Sequence, residues 1–371
     1  MTATLHPVVG RKKEHDNFYA QSSDFDLGPA WQADAMQILS EPGWAPYAID
    51  AEARMVSFAR MPPGVDLHSA PFVLITEYHE ATHVLVMGFD DVARVASGLP
   101  DPKVVLVFSM GRCGTTLMSH ALNGPETVAG LSEPPIFEHR PLRALGDTET
   151  TSHLIRNLCR LLFATRTKPK ADTLAIKFRS QALFIAELFW KALPEADYIF
   201  MYRDAVSWGN SFLQFLDDVG VGSPVTIEAR DFHWMMTSAD MPVENLARFM
   251  PVDRPPVDAG AALAPGWTIH MEEYERLRDR GLPLVALRYN ELVSDREGEL
   301  GRIFDHCGIS REDIASALKA FDRDSQEGTS IARKENKKRF TPEERASYLA
   351  VLGRVPALAN PDTLLRDIYS A

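Results

Sequence analysis

The chain is poor in cysteine, short of positive charge and free of long apolar runs, and each shortage narrows what it can be. Its three cysteines, Cys113, Cys159 and Cys307, are odd in number and form no CxxC pair. That argues against a disulfide scaffold, and a reducing compartment is the simplest reading. No stretch reaches the roughly 18 apolar residues that a membrane-spanning helix requires, and residues 1–18 mix polar and charged side chains without the apolar core of a signal peptide. The expectation is a cytoplasmic protein with no membrane insertion. A net charge of −12 excludes nucleic-acid binding driven by bulk electrostatics. An anionic ligand must therefore be gripped locally, by individual arginines and backbone amides. Internal repeats and low-complexity tracts are absent too.

What is present is the composition of a soluble globular enzyme: 45% hydrophobic and 24% charged residues in a chain of 371. Two prolines and a glycine within 98–102 mark a boundary. Residues 1–98 are expected to be a β-containing region to which the sequence attaches no role, with a helix at 29–40, strands at 53–62, 71–78 and 82–88, and a short helix at 90–97. Residues 99–371 form the main domain. There, apolar β-branched or aromatic runs at 104–108, 127–131, 173–178, 198–202 and 284–288 alternate with helical patterns at 116–122, 151–166, 181–193, 207–216, 268–280 and 296–307. Residues 219–265, rich in Gly, Pro and Asp, read as an irregular excursion. The alternation predicts an α/β fold: a P-loop-like three-layer sandwich with a central parallel sheet, preceded by a small β-rich N-terminal region.

The first of these strands runs into Ser109-Met110-Gly111-Arg112-Cys113-Gly114-Thr115-Thr116-Leu117. A buried strand, a loop ending in Gly-Thr-Thr, and then a helix is how a chain aims free N–H groups at an anion. Gly114 removes bulk where phosphate oxygens approach, and Thr115 and Thr116 add hydroxyls at the helix start. A nucleotide kinase would carry GxxxxGK[ST]. Here Ser109 holds the first glycine position and Thr115 the lysine position, and the cation is Arg112, inside the loop. A kinase needs its lysine and Mg²⁺ at a terminal γ-phosphate, whereas a donor without one does not. The competing reading is a P-loop phosphotransferase using ATP, with Asp204 recruited to hold the metal.

Arg112-Cys113-Gly114-Thr115-Thr116-Leu117 resembles the 5′-phosphosulfate loop of sulfotransferases that use 3′-phosphoadenosine 5′-phosphosulfate (PAPS). The arginine is as in the bacterial, Golgi and tyrosylprotein branch, with Cys113 where that branch has serine. The resemblance spans about residues 103–345. It implies that Arg112, Cys113, Gly114, Thr115 and Thr116 bind the donor, that Arg112 stabilises the leaving phosphate, and that no metal takes part. It also implies that Arg203, at a strand end, and Ser211, eight positions later, hold the 3′-phosphate; guanidinium and hydroxyl are apt donors for one. Ala205 stands where the family has proline after Arg-Asp. Leu287-Arg288-Tyr289-Asn290-Glu291-Leu292 resembles a strand end that is structural in the family. Arg333 and Lys334 match a C-terminal basic segment that closes over the nucleotide; the run 333–339 reads equally as a solvated helix face.

Cytosolic members take their base from a histidine that the segment 175–180 lacks. Glycan and tyrosylprotein members use a glutamate about twenty residues after the loop cation. Glu133 lies 21 positions after Arg112, before Pro134, so it is expected to be extended and is the candidate general base, an exposed loop glutamate being the plainer alternative. Lys177 is a candidate to assist the transferring group. His79-Glu80-Ala81-Thr82-His83 matches HExxH, but that motif binds zinc only on a helix, and here it is expected to form the turn between two strands. The acceptor is a small molecule or biosynthetic intermediate of unread identity. Phe232, Trp234, Met235, Met236 and Trp267 either line its pocket or are plain core. Nothing in the sequence speaks to oligomeric state.

Overall fold

The structure, a computed structural model, describes residues 2–16, 19–218, 226–238, 241–322, 324 and 338–365. Its strands are β1 (Thr2–Arg11), β2 (Phe25–Leu27), β3 (Trp31–Asp34), β4 (Trp44–Asp50), β5 (Met55–Arg60), β6 (His83–Gly88), β7 (Lys103–Ser109), β8 (Val128–Ser132), β9 (Thr173–Lys177), β10 (Asp197–Tyr202) and β11 (Leu284–Arg288). They form two sheets. The N-terminal sheet is antiparallel in the order β2-β1-β6-β5-β4, with β3 also on β1. The central sheet is parallel in the order β11-β10-β7-β9-β8. Its strands are buried almost end to end, as expected where both faces are covered. The α/β class and the β-rich N-terminal region thus stand as expected. Two compact units divide the chain: Met1–Leu106 with Leu122–Asp197, and Val107–Ala121 with Tyr198–Ala371.

Four local expectations need correction. Within 29–40, Trp31–Asp34 is strand β3, paired with Thr2–Leu5 of β1, and only Ala35–Leu39 is helical. The sheet partner overrides local propensity, and Asp34 caps the short helix by accepting the Met36 N–H at 3.0 Å. Residues 71–78 hold a helix, Val73–Glu80, instead of a strand. Val73, Leu74, Glu77 and Tyr78 are its buried positions, a helical period that a short apolar run does not reveal. His79 therefore ends a helix while His83 opens β6, so HExxH is neither the expected hairpin turn nor one continuous helix. His79 instead meets Asp16 at 3.0 Å, and among the described residues no cluster of three or more metal-ligating side chains occurs. Last, residues 226–265 contain helices Ala229–Ser238 and Val243–Leu246 and the start of Ala259–Asp279. Pro265 inside the last of these masked it in the sequence, because proline normally breaks a helix.

In the second unit, helix Ala259–Asp279 packs directly on helix Pro342–Leu352. A Cβ on Gly260 would lie 1.9 Å from the Glu344 carbonyl oxygen, so the two backbones touch where only glycine fits. Asp258 caps the first helix through the Ala261 N–H at 2.8 Å, and Thr341 with Glu344 forms a capping box on the second.

The first unit buries an unusual set of polar groups. Lys13 and Asp24, 2% and 4% exposed, lie 3.3 Å apart. The Tyr47 hydroxyl donates to Asp24 at 2.6 Å. Glu77 on helix Val73–Glu80 is fully buried, and both of its carboxyl oxygens lack a hydrogen-bond partner. Burial raises the Glu77 carboxyl well above its ordinary value, with Lys13 only partly opposing the shift. The folded state therefore holds a proton that the unfolded chain releases near 4.5. The stability linked to that proton is complete below this pH and is lost as pH rises toward the folded value. Glu77→Gln removes the titration. Its melting temperature relative to wild type should climb as pH rises above 4.5; a pH-independent difference would show that Glu77 is ionised in the fold.

Candidate functional site

The candidate phosphate loop begins one residue past β7. Its backbone runs through three left-handed residues, Gly111 (φ 70°), Arg112 (φ 52°) and Gly114 (φ 81°). Closely spaced turns of this hand gather backbone N–H groups into a concavity suited to an anion. The helix Thr115–Leu122 follows. Its first helical bond is Met118 N–H to the Gly114 carbonyl, 3.1 Å, so the amides of the first turn have no partner within the helix. Thr115 and Thr116 are each 5% exposed at this end. Cys113 is fully buried, and its thiol donates to the Met201 carbonyl of β10 at 3.3 Å. What Cys113 can offer a ligand is therefore its backbone.

The loop is held from behind by helix Ala205–Asp218. Trp208, 2% exposed, donates its indole N–H to the carbonyls of Met110 (3.3 Å) and Gly111 (3.0 Å). Fixing those carbonyls fixes the peptide planes, and with them the direction of the neighbouring amides. The Arg112 guanidinium lies 5.5 Å from the centre of the Phe215 ring on the same helix. Trp208 and Phe215 were not read as functional in the sequence. Their signal was the spacing Trp208, Phe212, Phe215 at i, i+4, i+7, which also describes an ordinary core stripe.

Arg203 follows β10 directly. Its guanidinium sits over the Tyr289 ring, 4.8 Å from the centroid, and its Nε is buried without a hydrogen-bond partner. The same Tyr289 ring covers Gly114, where a Cβ would lie 2.3 Å from it. One aromatic ring thus joins the loop glycine to the strand-end arginine. Asp204 is 7% exposed; it caps helix Ala205–Asp218 through the Ser207 N–H (2.9 Å) and accepts from the Asn290 amide (3.1 Å). Ser211 lies on that helix, half-buried. On either side of it, Asn210 accepts the Phe340 N–H at 2.8 Å and Gln214 the Lys338 N–H at 2.7 Å. Arg333 and Lys334 lie outside the described residues.

In the first unit, Glu133 follows β8, and it is not extended as its place before proline suggested: its φ is 58°. The proline rule disfavours the right-handed helical region, but partner bonds choose the conformation. The Glu133 N–H donates to the Lys177 carbonyl at 2.6 Å, and its own carbonyl accepts the Leu74 N–H at 3.2 Å. Its carboxylate pairs with the Lys177 ammonium. The Lys177 side chain is 4% exposed and that of Glu133 19%, so the carboxylate keeps access to solvent while the ammonium does not. Among the described non-glycine residues only Arg54, Arg112 and Glu133 have positive φ. Two of these three are the candidate catalytic residues.

No protein-family model and no curated protein matches the chain. Among solved structures it is similar to a sulfotransferase from Alicyclobacillus acidocaldarius, at 12% identity over 71% of this chain and 98% of that one, with a TM-score of 0.41. It is similar to sulfotransferase STF9 from Mycobacterium avium at 15% identity, 70% and 78% coverage and TM-score 0.39. It is also similar to retinol dehydratase crystallised with retinol and PAP, at 13% identity, 94% and 98% coverage and TM-score 0.38. Among the described residues no helix is long and apolar enough to cross a membrane.

The support that Trp208 gives the loop can be measured. Trp208→Phe keeps the ring but removes the N–H that the Met110 and Gly111 carbonyls accept, a loss of about 1 kcal/mol. The affinity for adenosine 3′,5′-bisphosphate should fall at least about fivefold. Unchanged affinity in calorimetry would show that the indole N–H does not shape the loop.

Proposed function

We propose that the protein transfers a sulfuryl group from PAPS to a hydroxyl or amine of a small-molecule acceptor. The observation that carries this reading is the Tyr289 ring, which ties Arg203 to Gly114 and so couples a strand-end guanidinium to the phosphate loop. A nucleotide bearing a 5′-phosphosulfate and a 3′-phosphate needs two separate anion sites. The loop supplies one. Arg203 with Ser211 supplies the other, and the backbone of Lys338 and Phe340 is bonded to Gln214 and Asn210 on either side of Ser211. The phosphotransferase alternative lacks support: no lysine follows Gly114, and Asp204 serves as a helix cap.

In the proposed reaction Glu133 takes the proton of the acceptor O–H or N–H. The acceptor atom forms a bond to sulfur as the bond from sulfur to the 5′-phosphate oxygen breaks. The electron pair of that bond leaves on the phosphate, where the loop amides and Arg112 stabilise it. The left-handed backbone of Glu133 and its pairing with Lys177 support the assignment, because strain and a buried counter-ion at one carboxylate are more usual at a working group than on a surface loop. The 3′,5′-bisphosphate product remains bound by groups that do not change in the reaction.

Calorimetry without metal should show tight binding of adenosine 3′,5′-bisphosphate and weak binding of ATP; tight binding of ATP alone would refute the reading. Glu133→Gln should bind the bisphosphate as wild type does, yet lose about 10²–10⁴-fold in PAPS turnover. Near-normal turnover in that variant would remove Glu133 as the base.

A further inference from the structure

We infer that Phe72 is a positioning residue for Glu133, so that the N-terminal region is part of the catalytic apparatus. The inference rests on the reading of Glu133 as base. Phe72 precedes helix Val73–Glu80 and occupies its N-cap position without a capping side chain. The amides at that helix end need acceptors from elsewhere. One of them, Leu74 N–H, takes the Glu133 carbonyl. The Phe72 ring, 8% exposed, lies 5.4 Å from the Lys177 ammonium, which is the partner of the Glu133 carboxylate.

Glu133 is thus held at all three of its polar groups. β9 takes its N–H through the Lys177 carbonyl, the helix end gives an N–H to its carbonyl, and Lys177 holds its carboxylate. Two of these holds depend on residues 72–74. The ring keeps water off the ammonium from one side, and its quadrupole attracts the cation lying against it. Without the ring, the ammonium would have room to turn toward solvent and leave the carboxylate unaimed. The effect of Phe72 on the Glu133 carboxylate passes through Lys177, which the ring contacts and the carboxylate pairs with.

The test is a double-mutant cycle with PAPS as donor and water as acceptor, read as release of adenosine 3′,5′-bisphosphate. Phe72→Leu should lower kcat about three- to thirtyfold, the range of a partly desolvated cation–π contact. KM for PAPS and affinity for the bisphosphate should be unchanged. Phe72→Tyr, which keeps the ring face, should restore kcat. In a Lys177→Met background, Phe72→Leu should change kcat less than twofold, since the partner through which it acts is gone. A loss in Phe72→Leu below threefold, no rescue by tyrosine, or an equal loss in both backgrounds would overturn the inference while leaving the base assignment standing. Failure of that assignment is seen separately, in Glu133→Gln. If Phe72→Leu does not fold, Phe72→Met enters the same cycle with the same expectations.

Discussion

Where a buried parallel strand ends, the chain must leave the pleat while its last carbonyls and next amides still require partners. After β7 and after β8 the turn is taken by a non-glycine residue in the left-handed region, Arg112 and Glu133. Each such residue costs on the order of 1–3 kcal/mol and persists only where its surroundings over-determine it. The surroundings do so by different means. At Arg112 the carbonyls just before the turn are fixed by the Trp208 indole, and Gly111 and Gly114 take the neighbouring left-handed steps. At Glu133 both backbone groups of the strained residue itself are bonded, and its carboxylate is paired. In both places the direction of a charged side chain is set by backbone hydrogen bonds, which is a firmer constraint than a rotamer preference.

Within the second unit, helix Ala205–Asp218 gathers most of the remaining constraints. Trp208, Phe212 and Phe215 lie on one stripe; the first holds the loop after β7 and the last meets Arg112. Asn210 and Gln214, four apart and therefore neighbours on the helix surface, receive the backbone of residues 338–340. Gly209 admits the Phe340 ring, which would lie 2.5 Å from a Cβ at that position. A single helix can serve a loop, a serine and a returning strap because its successive faces are fixed by its pitch. Asp204, the residue after Arg203, caps it and so fixes where the helix that carries Ser211 begins.

The parts of this arrangement legible in the sequence are those that rest on local pattern. The strands of the central sheet are continuous apolar runs, and burial on both faces leaves them no other reading. The loop was legible because glycine and threonine at the start of a helix have few other uses. Tyr289 was not legible as a link between Gly114 and Arg203: its contacts lie far apart in sequence and its own neighbourhood is an ordinary strand end. Glu133 was singled out by its spacing and misread in its conformation, since the bonds that hold it come from Leu74 and Lys177, on segments nothing in the local sequence connects. The helix Val73–Glu80 was read as a strand for the same reason: its first residues are an apolar run, and its buried face includes a carboxyl, Glu77, where a periodicity argument looks for an apolar side chain.

Ala205 stands at the first position of helix Ala205–Asp218, where the resemblance drawn from the sequence expects proline. Proline at the first position of a helix pre-sets φ and lacks an N–H that the helix would leave unused. Alanine has no such stiffness, but it has the N–H, and that group donates to the Pro361 carbonyl at 2.9 Å. Nearby, the Leu365 N–H donates to the Tyr202 hydroxyl at 3.2 Å, and Asp362 meets Arg288 at 3.4 Å. Tyr202 and Arg288 are register partners at the ends of β10 and β11. The segment 360–365 is therefore tied to both strand ends and to the first turn of the helix that carries Ser211. The alanine N–H thus gives the start of this helix a tertiary tie to a distant segment that a proline could not make.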